Sequence, residues 1–185
     1  MRHLVLSALL VSSGCAAKPL SDYPEQYRRA LLSTPATNID AADVDRFVAL
    51  FDGFSERDLP RTIDALYAEE LFFSDALTIA RDRKGVLEHF ERLQRSGTRI
   101  ELTVHDTLIA GGDAYVIWSM NAEFTPFVRK TSSNTLGMTH LRFDGNGKIV
   151  LHQDFWDTGL GFYANVPIVG AMVRAVGRSF ARSAE

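Results

Sequence analysis

The hydrophobic period changes once along this chain, at Gly97, and that change limits the folds open to it. Before Gly97, apolar residues recur at helical spacing. Asp43 to Phe54 carries Val44, Phe47, Val48, Leu50, Phe51 and Phe54, which predicts a helix with an acidic residue at its start. Leu59 to Tyr67 repeats the spacing through Leu59, Ile63, Leu66 and Tyr67, with Asp58 as cap and Pro60 in the first turn. Leu71 to Ser74 reads as a short strand, and Lys84 to Arg95 as a third helix through Val86, Leu87, Phe90 and Leu93. After Gly97 the period is two. Ile100, Leu102 and Val104 alternate with polar residues, and Gly111-Gly112-Asp113 reads as a hairpin turn. Ala114 to Phe124, Ser133 to Phe143 and Ile149 to Asp157 read as strands, the last two joined by the turn Asp144-Gly145-Asn146-Gly147. Helices followed by antiparallel hairpins predict an α+β domain, with three N-terminal helices packed on one face of a curved, mostly antiparallel sheet. A chain of 185 residues, 46% hydrophobic and 23% charged, suits one such domain. Its formal net charge of -3 argues against a general affinity for nucleic acid.

The two ends carry different signals. Arg2 and His3 precede an apolar run from Leu4 to Val11, followed by Ser12-Ser13-Gly14-Cys15. This has the outline of a signal peptide, too short for a span of about 20 residues. Cys15 is the only cysteine, so an internal disulfide and a cysteine-rich zinc site are excluded. The segment resembles the lipobox of bacterial lipoproteins. That resemblance implies loss of residues 1–14, lipidation of Cys15 and anchoring in the cell envelope; the alternative is a plain secretory signal with an incidental cysteine. Residue 16 is Ala rather than Asp, which by the same resemblance implies the outer membrane, facing the periplasm. Residues 15–42 are polar, contain Pro19, Pro24 and Pro35, and read as a tether with room for one helical turn around Glu25 to Leu32. In the tail, residues 161–185, Pro167 starts a helix with Ile168, Val169, Met172, Val173, Val176 and Phe180 on one side. Arg174, Arg178 and Arg182 form a basic stripe. This helix either lies on an anionic membrane or packs on the domain and closes a pocket mouth; Gly170 and Gly177 weaken it as an isolated helix and favour packing.

Motifs for common cofactors are absent. His89, His105, His140 and His152 lack metal-ligand spacing, and there is no Gly-x-Ser-x-Gly. Gly145-Asn146-Gly147-Lys148-Ile149 does not fit a phosphate loop. Gly159-Leu160-Gly161 looks like half a dinucleotide fingerprint, but the chain ends before a second parallel strand. Neither a cofactor nor a metal is expected.

Three segments carry a family resemblance: Leu66-Tyr67-Ala68-Glu69-Glu70 running into Phe72-Phe73-Ser74-Asp75, His140 to Lys148, and His152-Gln153-Asp154-Phe155-Trp156-Asp157. Together they resemble the NTF2-like superfamily, with its ketosteroid isomerase-like and SnoaL-like polyketide cyclase members, over roughly Asp43 to Asp157. The resemblance implies a cone of helices and bent sheet around an apolar pocket, here residues 43–160. Asp75 matches the general base of ketosteroid isomerases, where an apolar rim would raise its pKa. The oxyanion donors of that family fall at Phe51, which has no hydroxyl, and Thr139. Asp154 and Asp157 resemble the acidic pair of the epoxide-hydrolase and cyclase members, and strand alternation lets only one face the pocket. Asp154, on the face of His152 and Trp156, is the preferred one. The Arg-x-Asp pair of the hydrolases falls at Ser119-Met120-Asn121, without the charges. His140, one residue from Thr139, points to the other sheet face. Asp75 and Asp154 are therefore the catalytic candidates. Tyr67, Phe51, Trp118, Asn121, Thr139 and Trp156 are the ligand-binding candidates.

Three functions are compatible with these residues. The first is an envelope lipoprotein binding a small hydrophobic molecule. The second is a cofactor-free isomerase, cyclase or hydrolase using Asp75 or Asp154. The third is a non-catalytic scaffold. The resemblance also admits a homodimer through the sheet face.

Overall fold

A computed structural model describes residues 22–125 and 130–182. Cys15 and the signal segment lie outside the described residues. One mixed sheet of six strands, in the order β2-β1-β6-β5-β4-β3, organises the fold. The strands are β1 (Tyr67–Ser74), β2 (Ile79–Asp82), β3 (Arg99–Ala110), β4 (Asp113–Phe124), β5 (Thr131–Phe143) and β6 (Ile149–Trp156). All neighbours are antiparallel except β1 and β6, which run parallel. The chain therefore builds an α+β domain with a curved sheet, as the change of period predicts.

Local chemistry sets the turns. Gly111 and Gly112 both hold positive φ, 61° and 96°, between the paired residues Ala110 and Asp113. Two consecutive left-handed residues match a two-residue hairpin to the twist of its strands. In the β5–β6 turn, Asp144 accepts hydrogen bonds from the backbone N–H of Asn146 and Lys148. The register of β3 slips against β4 between Val104 and Asp106. Such a bulge bends a strand and helps curl the sheet.

Helices α2 (Ala41–Val48), α3 (Leu59–Leu66) and α4 (Arg83–Arg95) cover the concave face. Each starts at an aspartate, Asp40, Asp58 or Asp82, whose side chain accepts from a backbone N–H of the first turn, satisfying one of the unpaired donors there. The expected single helix over Asp43 to Phe54 ends early. It passes into one 3-10 turn at Ala49–Phe51 and a second at Phe54–Glu56, separated by Gly53 in the left-handed region. The Arg57 guanidinium closes this corner by donating to the carbonyls of Ala49 and Asp52. Phe47, Leu50, Phe54, Ile63 and Val86 bury completely against Phe73, Val116, Leu141 and Phe143 of the sheet.

The stretch expected to hold one helical turn instead forms α1 (Tyr23–Ser33), packed on the outer face of the sheet. Ala30 joins Phe72 and Leu151 in a second, smaller core. The Tyr27 hydroxyl meets His140 Nδ1 at 2.7 Å, and His140 Nε2 lies 2.7 Å from Asp113. Arg142 pairs with Asp113 and donates to the carbonyls of Leu31 and Thr34 at 2.8 and 2.9 Å. His140 does point away from the concave face, but it is buried under α1 rather than left at the surface. Burial holds its pKa below the usual imidazole value despite the opposing hydrogen bond and charge of Asp113. The inward side of α1 is Tyr27, Ala30 and Leu31, too few aliphatic positions to give a long apolar stripe in the sequence.

After β6, Asp157 caps the short helix α5 (Thr158–Gly161), accepting from Leu160 N–H. Its carboxylate is engaged in that cap, whereas Asp154 faces inward from β6 on the side of His152 and Trp156. The last helix, α6 (Val169–Arg182), makes its main contacts with the turn Tyr163–Asn165, and among the described residues none of its side chains lines the space under the concave face.

Candidate functional site

Between the helices and the concave sheet face lies a cavity of about 310 Å³. Its walls come from the alternation of β3 and β4. Ile100, Leu102, Trp118, Met120, Ala122 and Phe124 all point inward, and Phe51, Phe90 and Leu93 close it from the helical side. Leu77, Ser96 and Thr125 line the cavity and are exposed, so they mark its opening. The short α5 segment contributes Gly161 and Phe162, with Phe162 stacked on Phe124 at 5.6 Å.

Polar groups gather at the deep end in one chain of hydrogen bonds. Trp118 Nε1 donates to Thr139 Oγ1 at 2.8 Å, and Thr139 Oγ1 donates to Asp154 Oδ1 at 2.6 Å. His152 Nε2 lies 3.0 Å from the same Oδ1, and His152 Nδ1 lies 2.8 Å from the Tyr67 hydroxyl. Tyr67 is fully buried, and burial together with the Asp154 charge keeps its pKa well above the ordinary tyrosine value. Its proton therefore stays on oxygen, within reach of Nδ1, while Nε2 faces Asp154. Both contacts to Asp154 fall on Oδ1. Among the described residues no partner takes Oδ2.

Asp75 sits at the end of β1 with both oxygens engaged. Oδ1 accepts from the backbone N–H of Leu77 and Thr78 at 3.0 and 2.6 Å, and Oδ2 lies 3.0 Å from His89 Nε2. The Trp156 indole donates to the Asp75 carbonyl at 2.8 Å. Burial pushes the Asp75 carboxyl up, but contact with His89, its charge and the two backbone donors outweigh burial and hold it below its ordinary value. The expectation of a raised pKa is thus reversed. An apolar rim raises a carboxyl only where donors are absent.

Six of the candidate residues line the cavity: Asp75, Asp154, Phe51, Trp118, Thr139 and Trp156. Two do not. Tyr67 stands behind His152, bonded to the ring nitrogen turned away from Asp154. Asn121 falls on the outward face of β4, exposed and paired with Asn134, because its inward neighbours are Met120 and Ala122. The reading of separate residues overlooked His89. On α4 it follows Val86 by three and precedes Phe90 and Leu93, so it shares the buried stripe. Among the described residues, no group of His, Cys, Asp and Glu is arranged to hold a metal ion.

Comparison with known proteins agrees with this architecture. The family described as the SnoaL-like domain matches residues 41–152, more than half of the chain. No protein of curated function matches it in sequence. An LEH-like epoxide hydrolase of M. tuberculosis superposes with a TM-score of 0.53 at 16% identity, covering 65% of this chain and 86% of that one. TsrD from Streptomyces laurentii gives 0.53 at 20% identity, covering 68% and 96%. A protein of ketosteroid isomerase-like fold from Catenulispora acidiphila, solved with trimethylamine, gives 0.52 at 14% identity, covering 63% and 88%. At these identities the structures share the fold alone. The family match over α2 to β6 carries the assignment: this chain belongs to the SnoaL-like domain family.

Proposed function

We propose that this protein binds a small, largely apolar molecule in the cavity, without cofactor. The observation that carries this reading is the lining: an apolar wall around one carboxylate oxygen, Asp154 Oδ2, left open. Pockets of this kind fix a ligand by burial and orient it through few polar groups. Acid–base turnover with Asp154 as the base is the second reading, favoured by that same free oxygen. Stabilising an oxyanion would require free donors, and the donors at the deep end are committed. Thr139 donates to Asp154, Trp118 to Thr139, and Trp156 to the Asp75 carbonyl. With Asp75 held low and engaged, binding is the stronger reading.

The chain has only two tryptophans, and both line the cavity. Titration of a form starting at Ala16 with 1-octanol is expected to change the indole emission saturably. Emission that stays flat up to the solubility limit of the alcohol would speak against the reading.

The same proposal places the protein at a membrane surface in the cell envelope, through lipidated Cys15 and α6. On α6, Met172, Val176 and Phe180 are spaced by four and are 65%, 56% and 75% exposed, and Ile168 just before the helix is 82% exposed. Every charged residue of α6 is an arginine, which matches an anionic lipid surface. None of the helices among the described residues is long and apolar enough to cross a membrane. The form starting at Ala16 is expected to co-sediment with phosphatidylglycerol vesicles and to stay in solution with phosphatidylcholine vesicles. Met172→Glu with Phe180→Glu should abolish pelleting. Unchanged pelleting of this double variant would remove α6 from the proposal.

A further inference from the structure

Resting on the ligand-binding reading above, we propose that the cavity selects a cationic amphiphile, a small apolar molecule bearing one ammonium group, over neutral and anionic molecules of the same size. The ionisable side chains that line it, among the described residues, are Asp75, Asp154, His89 and His152; lysine and arginine are absent from the lining. The two carboxylates are brought side by side by the one parallel pairing in the sheet. Ser74 of β1 lies opposite Gln153 of β6, so Asp75 and Asp154 follow at the same level on neighbouring strands. Both face the cavity.

Each histidine is tied to one of these carboxylates. His152 Nε2 lies 3.0 Å from Asp154 Oδ1, and its Nδ1 is held by the Tyr67 hydroxyl at 2.8 Å. His89 Nε2 lies 3.0 Å from Asp75 Oδ2. These contacts leave Oδ2 of Asp154 unengaged among the described residues.

Two further features favour a cation. Oδ2 of Asp154 is an acceptor without a donor, and an ammonium N–H supplies a charge-assisted one. The rings of Phe73, Phe90, Trp118, Phe124 and Trp156 surround the space, and aromatic faces attract alkylammonium groups. A ligand carboxylate meets the opposite situation. It faces like charge, and the Trp118, Thr139 and Trp156 donors are already bonded within the protein, which leaves the buried Ser133 hydroxyl as a lining donor without a partner among the described residues. A neutral alcohol gains the apolar walls and one ordinary hydrogen bond, but not the charge term.

The experiment compares octylammonium, 1-octanol and octanoate, each below its aggregation limit, by indole emission and calorimetry on the form starting at Ala16. Octylammonium is expected to bind roughly tenfold or more tighter than 1-octanol, with octanoate weakest. Asp154→Asn keeps an oxygen for Thr139 and His152 and replaces Oδ2 by an amide. It should bring octylammonium down to the level of 1-octanol measured on the same variant, a loss of roughly tenfold or more. If 1-octanol or octanoate binds as tightly as octylammonium, cation selectivity is overturned while the cavity reading stands. If Asp154→Asn folds, by its melting curve, and keeps the full ammonium preference, the assignment to Asp154 is overturned. If none of the three binds, the cavity reading itself fails.

Discussion

Gly137→Ala is expected to lower stability by about 2 kcal/mol, a fall in Tm of about 4–8 °C, and to loosen the deep end of the cavity. Gly137 lies on β5 directly opposite Trp118 of β4. A Cβ built there would stand 2.3 and 2.5 Å from two ring carbons of Trp118, well inside van der Waals contact. The indole lies flat on the glycine, and that position is what aims its Nε1 at Thr139. The methyl group must push the ring off the strand. Trp118 then loses Thr139, and Thr139 loses the constraint that points it at Asp154. Thermal melting measures the first effect, and the near-ultraviolet circular dichroism of the indole measures the second. A variant with wild-type melting and an unchanged aromatic spectrum would show that the Trp118 wall is not packed as described.

Ala122→Trp has the opposite pattern, with a large loss of binding and little loss of stability. Ala122 lies on the inward face of β4 and lines the cavity. An indole at this position projects into the open space of about 310 Å³. Inserting bulk into a filled core costs about 1–3 kcal/mol, but a void accepts it at less cost. Binding of any apolar probe should weaken by about a hundredfold, since the surface that the ligand would bury is already buried. Calorimetric titration and a melting curve on the same sample read both quantities. Destabilisation by 3 kcal/mol or more would mean that the space is already filled by its own side chains. That outcome would favour a scaffold role over a binding one.

Much of this architecture is legible in the residues, and the parts that are not have physical reasons. The change of period at Gly97 gives helices α2 to α4, strands β3 to β6 and their faces, because alternation in a half-buried strand is a strong signal, whereas the short edge strand β2 leaves no such pattern. The placement of Asp154 with His152 and Trp156 follows from that alternation alone. The outer helix α1 reads as no more than one turn because its inward side is short, with Tyr27, Ala30 and Leu31, and is completed by the Tyr27–His140 contact and by Arg142 donating to the Leu31 carbonyl. Pairing across 113 positions leaves no local trace. Tyr67 reads as the last residue of a helix and instead opens β1, and the sequence does not show that the His152 ring would stand between it and the cavity. The electrostatics of Asp75 depend on two backbone donors in a turn and on His89 of another element. The local sequence shows only a carboxylate after two phenylalanines, which suggests a raised pKa where the assembled site produces a lowered one.

The most direct test of the central claim is native mass spectrometry of the form starting at Ala16, which retains every described residue, produced in cells and purified without detergent. Solvent extraction of the bound material follows. The account predicts a discrete added mass at one equivalent, belonging to an apolar molecule, which Ala122→Trp fails to carry. An apo mass from both proteins, together with no saturable response to added apolar probes, would contradict it.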